Sequence, residues 1–276
     1  MKKLVLCFLM LAFSFQVEAS SGSRFKKVLI IVLENTDYAD ALKQPFLQKL
    51  ARRGALLTQM NGVTHPSQGN YIALLGGDTM QVVNDNPVNI KGTNLVDLLE
   101  VRGYTWKGYI EDYPGNCFTG PTKGRYARKH NPFISFIDIA QNPSRCANIV
   151  DTKTFEKDAA AGALPSFALY APNLDDDGHD TGIGFASNWL QKNFESKFSD
   201  PQFMKELLVI ITFDESKTRS GNLIYTALLG DSVVPGSSTN QTLTHIDLMR
   251  MIEDEFQLGT LGRKDNAAQG PEGIWK

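Results

Sequence analysis

Two nearly continuous apolar runs stand out in the hydrophobic pattern of the chain. They are Val28–Leu33 and Leu207–Phe213, and both are rich in Val and Ile. An apolar run without polar alternation is typical of a strand buried on both faces, as in a parallel sheet. Shorter runs predict further strands at 55–60, 104–110, 166–170 and 224–229.

Between these runs, apolar residues recur with the spacing of a helix. This periodicity predicts helices at 42–53, 68–75, 93–102, 185–198 and 246–256. Gly54 and Gly103 directly follow two of them, where a glycine often ends a helix. The alternation of strands and helices predicts an α/β fold, in which helices flank a mainly parallel central sheet.

The N-terminal segment has the pattern of a secretory signal peptide. Met1–Lys3 is basic, Leu4–Phe15 is apolar apart from Ser14, and Val17 and Ala19 suit the −3 and −1 positions of a cleavage site. The apolar run is too short to span a bilayer comfortably. We therefore expect a cleaved signal over residues 1–19 and a secreted or periplasmic protein without stable membrane insertion.

The overall charge excludes one large class of partner. The chain is 42% hydrophobic and 21% charged, which is ordinary for a soluble globular protein. Its formal net charge is −2, so it lacks the basic excess of nucleic-acid-binding domains. We expect no nucleic-acid partner.

Two cysteines, Cys117 and Cys146, remain once cleavage of the signal peptide has removed Cys7. In an oxidising compartment they predict one disulfide, and two buried free thiols are the alternative. Both lie within residues 111–148, which are rich in Gly, Pro, Asn and aromatic residues. This composition predicts a loop-rich insertion that the disulfide would pin.

Oxygen-bearing side chains follow both of the strongly apolar strands. Glu34 and Asn35 come after the first, and Asp214 and Glu215 come after the second. The carboxyl ends of parallel strands share one edge of the sheet, where ligands bind, so these side chains are expected to meet. Three carboxylates repel one another unless a cation lies between them, and such oxygens suit a hard divalent cation. The alternative is that both pairs merely begin turns.

The stretch GVTHPSQGNYIALLGG, at 62–77, crowds polar residues ahead of an apolar helix. Ser67 lies in the first turn of that helix, where free N–H groups and a partial positive charge favour phosphate. A hydroxyl at this place, beside a metal ion, can ionise and attack phosphorus. A plain N-cap formed by Ser67 or Thr64 is the alternative.

Two of the four histidines are candidates for contact with a phosphate or for proton transfer. His179 lies in the acidic loop NLDDDGHDTG, and His130 lies in the basic segment RKHNPF. Either can contact phosphate or protonate a leaving group, and a plain surface position is the alternative. His245 is expected to cap or pack, because it precedes a predicted helix. The run Asp175–Asp177 is expected to be a solvated loop, since no calcium-binding spacing follows it.

Five motifs, in order along the chain, resemble those of a known family. They are VLIIVLENTDY, THPSQGNYIALLGG, KHNPF, LDDDGHD and ITFDES. They are similar to the phosphoesterase family of bacterial acid phosphatases and phosphatidylcholine-specific phospholipases C, in the alkaline-phosphatase-like superfamily. The resemblance implies an alkaline-phosphatase-like α/β sandwich at 25–262, with the insertion at 111–148, followed by a C-terminal tail at 263–276.

The resemblance implies a ligand set for one divalent metal ion of unidentified type. Glu34 and Asn35, together with Asp214 and Glu215, match the family's metal ligands, although some members have a second Asp where Glu215 stands. Ser67 matches the nucleophile, which also binds the metal. It lies ten residues before Gly77, the spacing that related nucleotide pyrophosphatases show between their nucleophilic Thr and a helix-ending Gly.

Three further residues acquire roles through the resemblance. Asn70 is expected to hold the phosphoryl oxygens. His130 and His179 resemble the family's histidines that contact phosphate and protonate the leaving group, and His179 is the preferred acid.

Together these inferences predict a secreted metal-dependent phosphoric ester hydrolase that acts through a phosphoserine intermediate on a phosphate-ester substrate. An acid phosphatase is favoured, because the chain has no segment that suggests an accessory lipid-binding domain. A phospholipase C or another phosphodiesterase is the alternative within the class. A non-catalytic secreted binding module on the same scaffold is the alternative of a different class.

Overall fold

An eight-stranded, mainly parallel sheet forms the centre of the computed structural model, which describes residues 23–219 and 221–276. The predicted α/β fold is confirmed, and the signal peptide predicted at 1–19 lies outside the described residues. The strands, in chain order, are β1 Lys27–Leu33, β2 Ala55–Leu57, β3 Met60–Asn61, β4 Trp106–Ile110, β5 Thr122–Lys123, β6 Tyr126–Ala127, β7 Ile149–Val150, β8 Phe167–Ala171, β9 Leu207–Phe213, β10 Thr226–Leu229, β11 Ser237–Thr239 and β12 Leu243–Thr244.

The two most apolar strands are neighbours in the middle of this sheet. The strand order is β11, β2, β10, β9, β1, β8, β4, β7. β1 runs parallel to β9 on one side and to β8 on the other, and only β10 runs antiparallel to its neighbours in this sheet. Every residue of β9 is buried, and so is every residue of β1 after Lys27. The lack of polar alternation in both runs reflects this burial on two faces.

Helices surround the sheet, and those predicted from apolar periodicity are present. The helices are α1 Tyr38–Ala41, α2 Pro45–Arg53, α3 Gln68–Gly76, α4 Leu95–Val101, α5 Ile137–Ala140, α6 Pro143–Cys146, α7 Thr152–Ala160, α8 Ile183–Ser199, α9 Pro201–Met204 and α10 His245–Glu255. The sequence did not predict α7, which buries one residue, Phe155, and so has little periodic signal. In the described part of the chain, none of these helices has the length and hydropathy that a bilayer crossing requires.

The single strand predicted at 55–60 is two short strands. β2 belongs to the main sheet, whereas β3 pairs with β12 in a separate two-stranded ribbon. Thr58 lies between them, and its backbone N–H donates to the Thr239 carbonyl. The chain therefore leaves the main sheet before it reaches the start of α3.

The segment 111–148 is loop-rich, and the predicted disulfide between Cys117 and Cys146 is present. The buried Arg128 ties this segment to the rest of the protein. Its Nη1 donates to the Thr119 carbonyl at 2.5 Å, and its Nη2 donates to the Val88 carbonyl at 2.5 Å. Through these two hydrogen bonds, Arg128 braces two loops.

The C-terminal residues pack against the body of the protein. Ile274 is fully buried, and the guanidinium of Arg24 lies 4.5 Å from the centre of the Trp275 ring. Asp265 is also buried and accepts backbone hydrogen bonds from Leu261 and Arg263 at 2.5 and 2.7 Å. Within residues 263–276, the predicted C-terminal tail, Ile274 thus belongs to the hydrophobic core, and the boundary at 262 stays a prediction.

Two buried carboxyl groups, Glu253 on α10 and Asp265 in the C-terminal segment, lie next to each other. Their proximity predicts that the free energy of unfolding depends on pH. Burial and the adjacent charge of Asp265 raise the pKa of Glu253 from 4.5 to about 8. A carboxyl whose pKa is raised on folding contributes stability that is complete below its unfolded value and is lost as the pH rises through the folded value. The contact between α10 and the C-terminal segment should therefore weaken between about pH 4.5 and pH 8.

We expect Glu253→Gln to remove this pH dependence, because glutamine is neutral and can still donate to Asp265. The free energy of unfolding should match that of the wild type near pH 4.5 and exceed it by about 1–3 kcal/mol above pH 8. Urea denaturation across this pH range measures the difference. Glu272→Gln, at an exposed position, is the matched control and should keep the wild-type slope, and a Glu253→Gln slope equal to wild type would contradict the assignment.

Candidate active site

The parallel pairing of β1 and β9 brings Glu34 and Asp214 together at the carboxyl edge of the sheet. Leu33 is in register with Phe213, so the residues that follow them emerge side by side. The Asp214 N–H donates to the Leu33 carbonyl at 3.0 Å, and the Glu34 N–H donates to the Asp177 carbonyl at 2.9 Å. Three chain segments therefore meet at this edge through backbone hydrogen bonds.

Glu34 lies at the centre of the cluster and is fully buried. Its Oε1 accepts a hydrogen bond from the Tyr71 hydroxyl at 2.7 Å, and its Oε2 accepts from Asn35 Nδ2 at 2.7 Å. The backbone N–H of Asn35 donates to Asp214 Oδ1 at 3.0 Å. Asn35 therefore links Glu34 and Asp214, the acidic residues that follow β1 and β9.

Ser67 occupies the N-cap position of α3 but does not cap the helix. Its buried Oγ lies 3.2 Å from Glu34 Oε2 and 3.3 Å from Glu215 Oε1. The hydroxyl of Thr64 is also not a cap, because it donates to the His65 carbonyl. The plain N-cap alternative is thereby removed for both residues, and the Ser67 hydroxyl points into the carboxylate cluster.

The rigid setting of α3 explains how Ser67 is held. Every residue of this helix is buried, and Gly77 ends it in the left-handed conformation, with φ of 64°. A residue with a Cβ is disfavoured in that conformation, so glycine suits this C-cap. The apolar run after Ser67 is thus an internal helix with its N-terminus directed at the cluster.

Asn70 braces the loop that precedes Ser67. Its Oδ1 accepts from the backbone N–H groups of Val63 and Thr64 at 2.8 and 3.0 Å, and its Nδ2 donates to the Thr64 carbonyl at 2.9 Å. One amide proton remains for another partner. The contact between Asn70 and phosphoryl oxygens stays a prediction, and the hydrogen bonds present are those of a positioning residue.

Glu215 completes the cluster and has a histidine partner that the sequence did not reveal. Its Oε2 contacts Nδ1 of His65, the residue two positions before Ser67. Its backbone carbonyl accepts from the Thr36 N–H at 3.2 Å. Behind the strand end, the buried His245 contacts the Phe213 carbonyl through Nε2 at 2.9 Å, which agrees with the packing role expected for it.

His130 lies between two buried carboxylates. Its Nε2 is 3.2 Å from Glu34 Oε1, and its Nδ1 is 3.1 Å from Asp177 Oδ2. Its ring stacks on Tyr71, with ring centres 5.1 Å apart. The expectation that Asp175–Asp177 is a solvated loop is wrong for Asp177, which is fully buried, because the loop turns back to pair with Glu34 and His130.

His179 lies at the exposed side of the same centre. Its ring centre is 5.9 Å from that of His130. Nδ1 contacts Asp180 Oδ1 at 2.7 Å, and Nε2 contacts the ammonium of Lys129 at 3.1 Å. Lys129 also pairs with Asp85 at 3.1 Å. These contacts fit a tautomer with the proton on Nδ1, so that Nε2 accepts from Lys129.

Burial makes the negative charge of this centre costly. Burial and the charges of Asp214 and Asp177 raise the pKa of Glu34 well above its usual value. Burial, followed by the charge of Glu215, raises the pKa of Asp214 to about 7, and burial raises those of Asp177 and Glu215 to about 7. Burial and the nearby Lys129 keep the pKa of His130 well below its usual value. The carboxyl groups thus need protons or a cation.

The donor set fits a divalent cation. Among the described residues, buried Asp214 Oδ2 and Asp177 Oδ2 have no hydrogen-bond partner. The two ring nitrogens of His130 approach Glu34 and Asp177 closely but without hydrogen-bond geometry. Carboxylate and imidazole atoms of this kind are metal ligands in proteins. Glu34, His130 and Asp177 place one ligand atom each within 4.8 Å of one another. Glu34 therefore belongs both to this group and to the ligand set expected from the sequence.

The structure brings Glu34, Asn35, Ser67, Asp214 and Glu215 into one cluster, with His130 and His179 beside it. Sequence reasoning missed residues that contact this cluster from other segments: His65, Tyr71, Lys129 and Asp177. His65 and Tyr71 stand in the same motif as Ser67, and that proximity was the available signal. The buried position of Asp177 depends on a loop path that the sequence pattern does not encode.

Comparisons with known proteins agree with this architecture. A sequence model of the phosphoesterase family matches residues 37–259. A probable acid phosphatase of Kluyveromyces lactis is 36% identical, over 90% of this chain and 62% of that protein. An acid phosphatase of Aspergillus fumigatus is 34% identical, over 90% of this chain and 58% of that protein. The chain thus spans about three fifths of the length of these fungal relatives.

A bacterial relative is matched over most of its length. It is a phosphatidylinositol-3-phosphatase of Mycobacterium tuberculosis, 34% identical over 90% of this chain and 83% of that protein. Among solved structures, a protein of the alkaline phosphatase superfamily from Vibrio parahaemolyticus is 14% identical with a TM-score of 0.61, over 89% of this chain and 71% of that chain. Murine ectonucleotide pyrophosphatase/phosphodiesterase 5 is 11% identical with a TM-score of 0.55, over 86% of this chain and 96% of that chain. The structural matches show the fold, and the family model together with the relatives shows that the chain belongs to the phosphoesterase family.

Proposed function

We propose that the protein is a metal-dependent phosphoric ester hydrolase of the acid phosphatase type, which cleaves phosphomonoesters with Ser67 as nucleophile. The observation that carries this proposal is the position of the Ser67 hydroxyl, 3.2 and 3.3 Å from two buried carboxylates at the start of a helix. The acid phosphatases among its relatives support the same activity.

The carboxylates beside Ser67 provide the base for attack on phosphorus. Glu34 Oε2 and Glu215 Oε1 both accept from Oγ, so either can take the hydroxyl proton as the bond to phosphorus forms. Tyr71 and Asn35 hold Glu34, and His65 holds Glu215, which keeps both acceptors in place. The ester is then cleaved in two steps, through a phosphoserine that water hydrolyses.

The N-terminus of α3 and Lys129 supply positive potential for the phosphoryl group. A helix N-terminus favours anions through its free N–H groups and its dipole. The ammonium of Lys129 lies at the edge of the cluster, where it already attracts Asp85 and contacts His179. A monoester dianion needs more such positive charge than a diester does, so Lys129 favours the monoester.

His179 is positioned for proton transfer to the leaving group. It is the more exposed of the two candidate histidines, and Asp180 orients its ring through Nδ1. The leaving oxygen can take its proton from Nε2 when both ring nitrogens of His179 carry a proton. In the contacts present, Nε2 instead accepts from the Lys129 ammonium. His130, buried between Glu34 and Asp177, instead orders the acidic centre.

We place one divalent metal ion at Glu34, Asn35, Ser67, Asp214 and Glu215. When bound there, a divalent cation would lower the pKa of the Ser67 hydroxyl and stabilise charge on the phosphoryl oxygens. The disulfide between Cys117 and Cys146 supports the proposed secreted or periplasmic location, because such bonds persist in oxidising compartments.

Paired hydrolysis assays test the activity. We expect release of p-nitrophenol from p-nitrophenyl phosphate to exceed release from bis-p-nitrophenyl phosphate, and a chelator to abolish it. Ser67→Ala should lower kcat by at least about a thousandfold without a change in unfolding temperature. Thr64→Ala, three residues away in the same loop, is the control and should retain most of the activity. Preference for the diester would assign the chain to the phosphodiesterases instead, and absence of turnover in the folded, metal-supplied protein would contradict catalysis.

Thermal unfolding with and without divalent metal ions tests the ligand set. A metal ion at a hundredfold excess over its Kd should stabilise the wild type by about 3 kcal/mol. Asp214→Asn should lose this gain, whereas Asp231→Asn, at an exposed position, should keep it. Because Asp214 and Glu215 must release protons with pKa about 7, affinity should fall as the pH drops below that value. Loss of the gain in Asp177→Asn but not in Asp214→Asn would place the ion at the His130 group instead.

A further inference from the structure

A small, mostly apolar cavity of about 180 Å³ opens beside the proposed catalytic centre. Its polar lining residues are Gln68, Asp85, Thr122, Arg128, Lys129 and His179. Most of its exposed lining surface is nevertheless apolar. The apolar lining residues are Pro87, Pro121, Ala127 and Leu174. The cavity is therefore next to the place where the leaving oxygen is protonated.

Gln68 connects one wall of this cavity to the start of α3 through hydrogen bonds. The buried side-chain amide of Gln68 donates through Nε2 to the carbonyls of Asn84 and Asn86 at 2.9 and 2.8 Å. The Gln68 backbone N–H donates to Asp85 Oδ1 at 3.0 Å. These three hydrogen bonds fix the loop that carries Pro87 relative to the nucleophile.

The other walls are fixed as firmly. The Arg128 N–H donates to the Pro121 carbonyl at 2.9 Å, in the loop that the Cys117–Cys146 disulfide closes. The Leu174 N–H donates to the Arg125 carbonyl at 3.2 Å, in the loop that leads to His179. The cavity is thus preformed, and an apolar group can enter it without the cost of ordering a loop.

A second cavity on the other side of His179 has different chemistry. It measures about 340 Å³ and is lined by charged residues, including Asp37, Asp40, Asp180 and Lys217. An apolar leaving group gains nothing from such a lining, whereas burial of apolar surface in the smaller cavity is favourable. Sites for drug-sized ligands commonly measure about 300–1,000 Å³, so the smaller cavity suits a single ring.

From this arrangement we propose that the apolar cavity is the leaving-group subsite and that the preferred substrates are monoesters of small aryl or comparably flat apolar alcohols. This inference rests on the proposed function. Lys129 and His179 lie at the polar end of the subsite, beside the ester oxygen, and Pro87, Pro121 and Leu174 contact the ring.

Binding of non-hydrolysable phosphonates tests the subsite without the influence of leaving-group reactivity. The probes are phenylphosphonate, methylphosphonate and 2-hydroxyethylphosphonate, titrated calorimetrically into the full mature protein in the presence of Mn²⁺ and, separately, of chelator. We expect phenylphosphonate to bind at least about tenfold more tightly than methylphosphonate, because an apolar pocket commonly discriminates by about 10–200-fold. Equal affinities, or tighter binding of the hydroxylated probe, would overturn the proposal.

A matched pair of variants assigns the preference to this cavity. Leu174→Asn should reduce the ratio of phenyl to methyl affinity about tenfold, whereas Ile183→Asn, on the wall of the polar cavity, should leave the ratio unchanged. Thr122→Trp, at an exposed position on the rim, fills the cavity if Leu174→Asn does not fold, and should also reduce the ratio. An unchanged ratio in a folded Leu174→Asn or Thr122→Trp protein would overturn the assignment.

Turnover separates this inference from the proposed function. Chelator-sensitive hydrolysis of p-nitrophenyl phosphate with no phenyl preference in phosphonate binding would refute the subsite and leave the activity standing. A phenyl preference in a protein that hydrolyses no phosphate ester would instead refute the activity and keep the cavity as an aryl-phosphonate site.

Discussion

The burial of four carboxyl groups at one edge of the sheet is the constraint on which the rest of the site depends. Glu34 and Asp214 meet there because β1 and β9 are parallel neighbours in fixed register, and Asp177 and Glu215 join them from the following loops. Burial raises the pKa of each carboxyl group, and repulsion by other members of the four raises the pKa of Glu34 and Asp214 further. A centre of this kind is stable only with bound protons or a cation, and in the proposed function a bound cation would also attract the phosphate ester.

The surrounding residues are arranged to hold this charge in one geometry. Tyr71 and Asn35 donate to Glu34, and Asn70 keeps the loop before Ser67 in place through three hydrogen bonds. Positive charge is kept at the periphery, where Lys129 lies between Asp85 and His179. In the proposed function, attack is assigned to Ser67 in the acidic centre, and leaving-group protonation is assigned to His179, which contacts Lys129.

The sequence predicted the parts of this arrangement that depend on short-range pattern. The long apolar runs identified β1 and β9, and the residues after them pointed to Glu34 and Asp214, because parallel strands share a carboxyl edge. The roles of His65, Tyr71 and Asp177 could not be read in the same way, since each depends on the direction of a side chain or the path of a loop. Asp177 looked like part of a solvated acidic run, and its burial follows from the backbone bond between its carbonyl and Glu34.

The most direct test of the account is to trap the covalent intermediate. The metal-loaded protein would be mixed with p-nitrophenyl phosphate, quenched in acid within the first turnovers, and digested for peptide mass spectrometry. The account predicts phosphate on the peptide that contains Ser67, with fragmentation assigning it to that side chain, and none in Ser67→Ala. Phosphate on another residue, or turnover that continues in Ser67→Ala, would contradict the central claim.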